Sequence, residues 1–337
     1  GMLVRAEIIG TGRLDLPKAR VIEVLGHQGD VGAISLISAA EHRLRLHFPE
    51  AAIDEAEAAQ AVPETGRVDY RDVPLVTIDG ADARDFDDAV WSEALPNGQG
   101  FRIMVAIADV AHYVRPGSAL DQEAQLRGNS CYFPDRVLPM LPEALSNGWC
   151  SLVPHEDRGC LVADMTIDMR GKLTSKRFQR GIMRSAARLT YERVEDALYG
   201  QPDAEIEPLL DTSLRPLKAA YEVLAAAREE RGALDLDVPE RMIELSADKS
   251  CVVDIRPRDR LLSHKIIEEL MILANVAAAQ VLEAIEHSVM YRVHDHPDPV
   301  KLEHLANLLD GTPVNIQRGI RLTAGKLNGI LKGVAGE

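Results

Sequence analysis

The chain reads as an α+β fold, on three observations. Residues 73–78, 89–92 and 101–108 carry the short β-branched runs of strands, and in the last of them Ile103, Val105 and Ile107 share one face. Residues 161–168 and 172–183 flank the turn dipeptide Arg170-Gly171, as in a hairpin. Residues 206–231 and the segment after Ser263 place apolar residues at helical spacing. Strands and helices mix without strict β-α-β alternation, which gives α+β.

The elements follow in order. Residues 3–48 predict two strands, 4–9 and 20–25, and a mixed segment ending near Phe48. Residues 50–66 are rich in Ala and Glu and close at Pro63 and Gly66, which predicts a surface helix and a linker. Core architecture begins at Val68, and 117–128 read as a helix. Residues 131–157 hold Pro134, Pro139, Pro142 and Pro154, so an ordered irregular stretch is expected. Thr190 can cap a helix through Tyr199, and Gly232 ends the helix over 206–231. Strands are expected near Met242 and Val252, then a long helix to about Ile285 and a strand at 289–293. Asp298-Pro299 opens one more helix, with Asp at the cap and Pro in the first turn. No internal repeat is visible.

Composition bounds the function. With 46 % hydrophobic and 27 % charged residues, the chain has the make-up of a soluble globular protein. No run approaches the roughly 18 apolar residues of a membrane span, and no secretory segment opens the chain. The four cysteines show no C-x-x-C spacing, which argues against a zinc ribbon and for free thiols in a reducing cytoplasm. A net charge of −15 argues against a nucleic-acid partner, yet the charge is uneven. Arg170, Lys172, Lys176, Arg177, Arg180, Arg184, Arg188 and Arg193 are opposed within their segment by Glu192 alone. This stripe is either a nucleic-acid contact or the solvated outer face of a strand pair.

The strongest local signal is acidic. Asp79 ends an apolar run, and a loop with few bulky side chains brings Asp85, Asp87 and Asp88 back. Carboxylates that close repel unless protons or cations neutralise them, and hard divalent ions prefer carboxylate oxygen. Asp85 and Asp87 share a side in extended backbone, and Asp88 faces the other way, towards Asp79. Four acids in that arrangement bracket two cations, which suits phosphodiester hydrolysis. An EF-hand loop is excluded, because counting from Asp79 puts Arg84 where Gly belongs and Val90 where Glu belongs.

Two weaker signals accompany it. On the long apolar helix, His264, Glu268 and Asn275 fall on one stripe, either a wall of a cleft or an internal hydrogen-bond network. Tyr191 follows the basic stripe in the first turn of a helix and suits either stacking on an unpaired base or the core.

The chain resembles the ribonuclease II/ribonuclease R (RNB) family, more in the wording of ribonuclease R. The likeness rests on Pro74-Leu75-Val76-Thr77-Ile78-Asp79-Gly80, Asp82-Ala83-Arg84-Asp85-Phe86-Asp87-Asp88 and Ala108-Asp109-Val110-Ala111-His112-Tyr113. It continues through Leu138-Pro139-Met140-Leu141-Pro142, Ser146 to Leu152, Leu189-Thr190-Tyr191, Glu268 to Asn275 and Tyr291-Arg292-Val293-His294. The resemblance implies a mixed, mainly antiparallel sheet surrounded by helices. It also implies a processive, hydrolytic 3′→5′ exoribonuclease that works with Mg²⁺ or Mn²⁺ on the 3′ end of single-stranded RNA and releases nucleoside 5′-monophosphates. Asp79, Asp85, Asp87 and Asp88 would hold metal, with Asp87 the most critical catalytic group and Asp85 beside it. Tyr191 would stack on the terminal base. Apart from the resemblance, Arg180, Arg184 and Arg188 of the basic stripe and His264, Glu268 and Asn275 of the helix stripe are the further candidates for RNA contact.

By the same resemblance, residues 1–48 are a remnant of a cold-shock region, 49–66 a linker helix and 67–337 the N-terminal part of the catalytic domain. Family members carry a Ser-Pro-x-Arg segment whose arginine steadies the developing phosphate charge, and this chain has no Ser-Pro dipeptide. A chain incomplete on its C-terminal side and weak in hydrolysis is therefore expected, since such a loss costs several kcal/mol of barrier. The alternatives are a non-catalytic RNA-binding or regulatory fragment and a phosphodiesterase of small nucleotides.

Overall fold

The computed structural model describes all residues except 11–17, 235, 237, 239, 313, 315, 317–321 and 335–337. β1 (Met2–Gly10) and β2 (Lys18–His27) pair antiparallel as a separate ribbon. β3 (Val68–Asp69), β4 (Val76–Asp79), β5 (Asp88–Ala94) and β6 (Phe101–Ala108) then enter the main sheet. β7 (Cys131–Tyr132) and β8 (Val137–Leu138) form a small hairpin outside it. β9 (Asp157–Ile167), β10 (Leu173–Arg184) and β11 (Ala187–Thr190) complete the sheet in the order β11-β4-β5-β6-β9-β10-β3. The outermost pairs are parallel and the four inner ones antiparallel, so the α+β, mainly antiparallel expectation holds.

Strand β6 explains why the sheet is central. Ile103 and Val105 point to one face, Met104, Ala106 and Ala108 to the other, and all five are buried. Only Ile107, at the end of the strand, stays 37 % exposed. Such a strand is covered on both sides. The helices that cover it are α2 (Glu50–Glu57), the single turn α3 (Val110–Tyr113), α4 (Ala119–Arg127), α5 (Tyr191–Leu198), α6 (Arg215–Glu230) and α7 (Leu262–Ala284), whereas α1 (Val31–Glu41) packs on β2 of the ribbon. One face packs α5, α6 and α7, through Val194, Leu217, Leu224, Ile266 and Leu270. The other packs α2 and α4 together with Leu145 and Leu152 of the proline-rich stretch.

The hairpin at Arg170-Gly171 forms as expected, with Gly171 at φ +70, and a Cβ there would lie 2.7 Å from the Cβ of Ala227 on α6. The turn needs glycine twice over, for its left-handed backbone and for the helix lying on it.

Several local readings are revised. Residues 49–66 are more than a linker, because Ala52 and Ala56, one turn apart on α2, are buried in the core. The α-helix expected over 206–231 begins only at Arg215, behind a 3₁₀ turn at Glu207–Leu209 and a wider π-helical turn at Leu210–Leu214. Residues 289–293 form no strand, although they are apolar and β-branched. Met290 is 99 % and Val293 81 % exposed, and among the described residues no neighbouring strand offers the ladder a strand requires. β12 (Arg241–Leu245) pairs with β13 (Val252–Pro257), and α8 (Pro299–Leu309) and α9 (Ala324–Gly333) follow. Asp298 caps α8 through the Val300 N–H. No helix among the described residues is long and apolar enough to cross a membrane.

Candidate active site

Strand register gathers the acids. Asp79, the last residue of β4, lies opposite Thr190, the last of β11, and Tyr191 comes next. Asp88 opens β5 opposite Ile107, and the Asp87 carbonyl accepts from the Ala108 N–H at 2.9 Å. One end of the sheet thus presents Asp79, Asp87, Asp88 and Tyr191 together.

The loop between β4 and β5 is moulded from beneath. Phe86, between Asp85 and Asp87, is buried and acts as its anchor. The buried Ser151 accepts the Phe86 N–H at 3.1 Å and donates to the Arg84 carbonyl at 3.0 Å, while the Leu152 N–H reaches the Phe86 carbonyl at 2.8 Å. The Arg188 guanidinium donates to the Ala81 carbonyl at 2.7 Å, with longer contacts to Gly80 and Ala83, and lies over the Phe86 ring. The acids therefore stand on a fixed backbone. Tyr132, from the β7–β8 hairpin, donates its hydroxyl to Asp85 at 2.9 Å.

The charges are uncompensated. Burial first, then Asp88, Asp85 and Asp87, push Asp79 up to about 7, against the pull of Arg188. Asp87 keeps a water-accessible side, yet crowding by protein atoms, then Asp85 and Asp88, raises it to about 6. Burial takes Asp88 to about 6. Asp109 shows the contrast. It sits just past β6 at the same sheet end, but the buried Arg67 binds it at 2.6 Å and Arg180 lies 3.7 Å away.

The donor set fits a hard divalent cation, being all carboxylate, and Asp79 Oδ2 is buried without a partner. Among the described residues, however, no three of the His, Cys, Asp and Glu side chains converge closely enough to hold one ion as they are placed. The side chains would have to rotate together to share one.

Tyr191 is half-buried beside this cluster. Burial, then Asp79 and Asp88, push its hydroxyl up to about 12, so it remains a neutral phenol. His264 stacks on one ring face, with centroids 3.9 Å apart and planes at 18°. The placement follows from docking of α7 on α5, where the buried Ser263 donates its N–H to Glu195 and its hydroxyl to the Tyr191 carbonyl.

The remaining residues singled out from sequence scatter. Arg180 and Arg184 lie on β10, four strand steps or about 19 Å from β4 along the sheet. Arg184 pairs with Asp157 and Arg193 with Asp203 and Glu205. Arg188 turns inward to the loop carbonyls instead of outward to a ligand. The eight basic residues therefore do not form one surface, because the strand-turn-strand course distributes them. The α7 stripe also divides. His264 meets Tyr191, Glu268 binds Arg228 and Arg260 at 3.1 and 2.9 Å, and Asn275 is exposed. Phe86, Ser151, Tyr132 and Arg258 were not singled out. Arg258 approaches from the end of β13, its guanidinium 3.8 Å from where a Gly80 Cβ would stand. Sequence spacing carries no trace of these contacts, which bring together residues far apart in the chain.

Comparisons with known proteins identify the family. The model of the RNB domain matches residues 67–333. Ribonuclease R of Vibrio parahaemolyticus is 44 % identical over 307 residues, covering 89 % of this chain and 36 % of that protein. Mycoplasma genitalium RNase R, solved in complex with double-stranded RNA, superposes with a TM-score of 0.90 at 27 % identity, covering 98 % of this chain and 60 % of the other. The same protein in complex with ribose-methylated single-stranded RNA gives 0.87 at 27 % identity, over 94 % and 50 % of the two chains. The present chain thus spans little more than a third of the length of the Vibrio relative. Aspartates gathered by register, a tyrosine at the adjoining strand end and a matching domain over most of the length agree: the chain belongs to the RNB-domain family.

Proposed function

We propose that the chain carries the aspartate and nucleotide-stacking parts of an exoribonuclease site, one that hydrolyses single-stranded RNA from its 3′ end to nucleoside 5′-monophosphates with Mg²⁺ or Mn²⁺. The carrying observation is that four carboxylates, three of them raised to about 6 or 7, share a sheet end with a half-buried tyrosine ring.

Asp79, Asp85 and Asp88 would hold cations, with Asp87 serving the second of them. Bound there, such ions supply charge stabilisation at the scissile phosphate and a more acidic attacking water. Asp87, open to water, is placed to take that water's proton. Without ions, its carboxyl is ionised at pH 8 and largely protonated towards pH 5. Tyr191 would stack on the terminal base beside the acids, its ring already backed by His264. His264 accepts the Leu261 N–H at Nδ1, which leaves its proton on Nε2, and burial holds it neutral. Arg258 is positioned to meet a backbone phosphate at the loop, whereas Arg180 and Arg184 would act only on RNA several nucleotides away.

The test is shortening of 5′-labelled single-stranded RNA. Asp87→Asn should abolish Mg²⁺-dependent mononucleotide release with the fold intact, and EDTA should do the same to the unaltered chain. Equal turnover by the variant removes the assignment.

A further inference from the structure

We propose that Arg188 is a positioning residue for the cation site, one that sets the backbone course of the acidic loop and leaves its four carboxylates free. The inference rests on the cation reading above and adds a residue to it.

Register delivers the side chain. On β11, Arg188 lies beside Thr77 of β4, and Thr190 lies beside Asp79. Its neighbours Ala187 and Leu189 enter the core with Val76 and Ile78, so Arg188 stands on the opposite face, with Thr77 and Asp79. There its Nη2 alone gathers three carbonyls, Ala81 at 2.7 Å, Gly80 at 3.3 Å and Ala83 at 3.4 Å. These belong to the turn that leaves β4, which the Ala83 N–H closes on the Gly80 carbonyl at 3.1 Å. The guanidinium carbon also lies 5.2 Å from the centre of the Phe86 ring, between Asp85 and Asp87. One side chain therefore touches the loop both where it departs and where it returns.

Neither charge balance nor stability explains these contacts. The loop carries four acids, yet Arg188 forms no ion pair among the described residues. A cation kept to neutralise them would spend its donors on carboxylate, where a hydrogen bond is roughly twice as strong. A residue kept for stability alone would not leave a donor stranded, and Nε is buried without a partner among the described residues. Donors spent on carbonyls fix the points at which Asp79 and Asp85 leave the backbone. From those points the carboxylates have only to rotate to share an ion.

Charge and positioning predict opposite signs. A fixed positive charge beneath a cation site repels the ion, so its loss alone should tighten binding. Loss of an outer partner that orders the ligands weakens it, by about 10–100-fold. The experiment is titration of Mn²⁺ alone into the full chain at pH 8 without RNA, with free Mn²⁺ read by electron paramagnetic resonance and the fold by circular dichroism. Arg188→Met, which removes donors and charge, should raise the Mn²⁺ Kd about tenfold. Arg188→Lys keeps the charge but ends one bond short of Nη2, and should raise it about threefold where charge alone predicts no change. If Arg188→Met does not fold, Arg188→Lys decides. A folded variant that binds within about twofold of the unaltered chain, or more tightly, overturns the positioning role and leaves the cation site standing. If the unaltered chain takes up no Mn²⁺ at millimolar concentration, the cation site and the inference fall together.

Discussion

Asp79 shows most directly what a carboxylate costs when nothing neutralises it. Its value rises from 3.8 to about 7 in the folded chain. A group that holds its proton more tightly folded than unfolded stabilises the fold below about pH 4, and that contribution is lost as pH rises through about 7. Without divalent ions, the protein should therefore lose stability across that window. Asp79→Asn removes the ionisation and keeps the shape. It should raise the melting temperature by a few degrees at pH 8 in EDTA and change it little at pH 4, as differential scanning calorimetry would register. A variant that melts below the parent at pH 8 contradicts the account. The acidic identity of positions 79, 85, 87 and 88 was legible in the sequence, because clustered like charges are visible without coordinates. Their support by Ser151, Arg188 and Tyr132 was not, because a hydrogen bond to a loop carbonyl leaves no pattern in spacing.

Single elements were legible where their periodicity was unbroken. The runs behind β6 and α7 and the Arg170-Gly171 turn all appear at the expected places. Residues 289–293 misled because strand-like composition says nothing about a pairing partner. β11 was hidden inside the basic stripe, because four residues with Arg188 among them are too short for an alternation to stand out. The energetics of β6 give a differential test. Met104 is buried at 1 % exposure, and Met104→Ala should cost about 2–5 kcal/mol of unfolding free energy. Ile107→Ala, on the same strand but 37 % exposed, should cost well under half as much. Urea denaturation of the two variants measures both.

At the scale of the molecule, the net charge of −15 pointed away from nucleic acid, while the family to which the chain belongs includes RNase R solved with RNA. Total charge is a sum over the surface, whereas recognition depends on the few groups lining one site. The charge cluster at the sheet end is also negative, so cations, not side chains alone, are the means by which it would accept a phosphate. The α+β class was readable from strand-like and helical runs. The strand order, with parallel pairs at both margins, was not, because pairings between distant segments do not show in local pattern.

The doubly covered centre of the sheet has a temporal consequence. Amide protons of β5, β6 and β9 are locked in ladders with apolar layers above and below, so they exchange with deuterium only when the whole domain opens. Those of the separate β1–β2 ribbon and the β12–β13 pair, whose side chains are mostly exposed, should exchange orders of magnitude faster. Mass spectrometry after deuterium labelling should therefore find the floor beneath Asp88 among the slowest segments of the chain. The base of the reaction centre would then keep its shape for hours, while the outlying ribbons breathe in seconds.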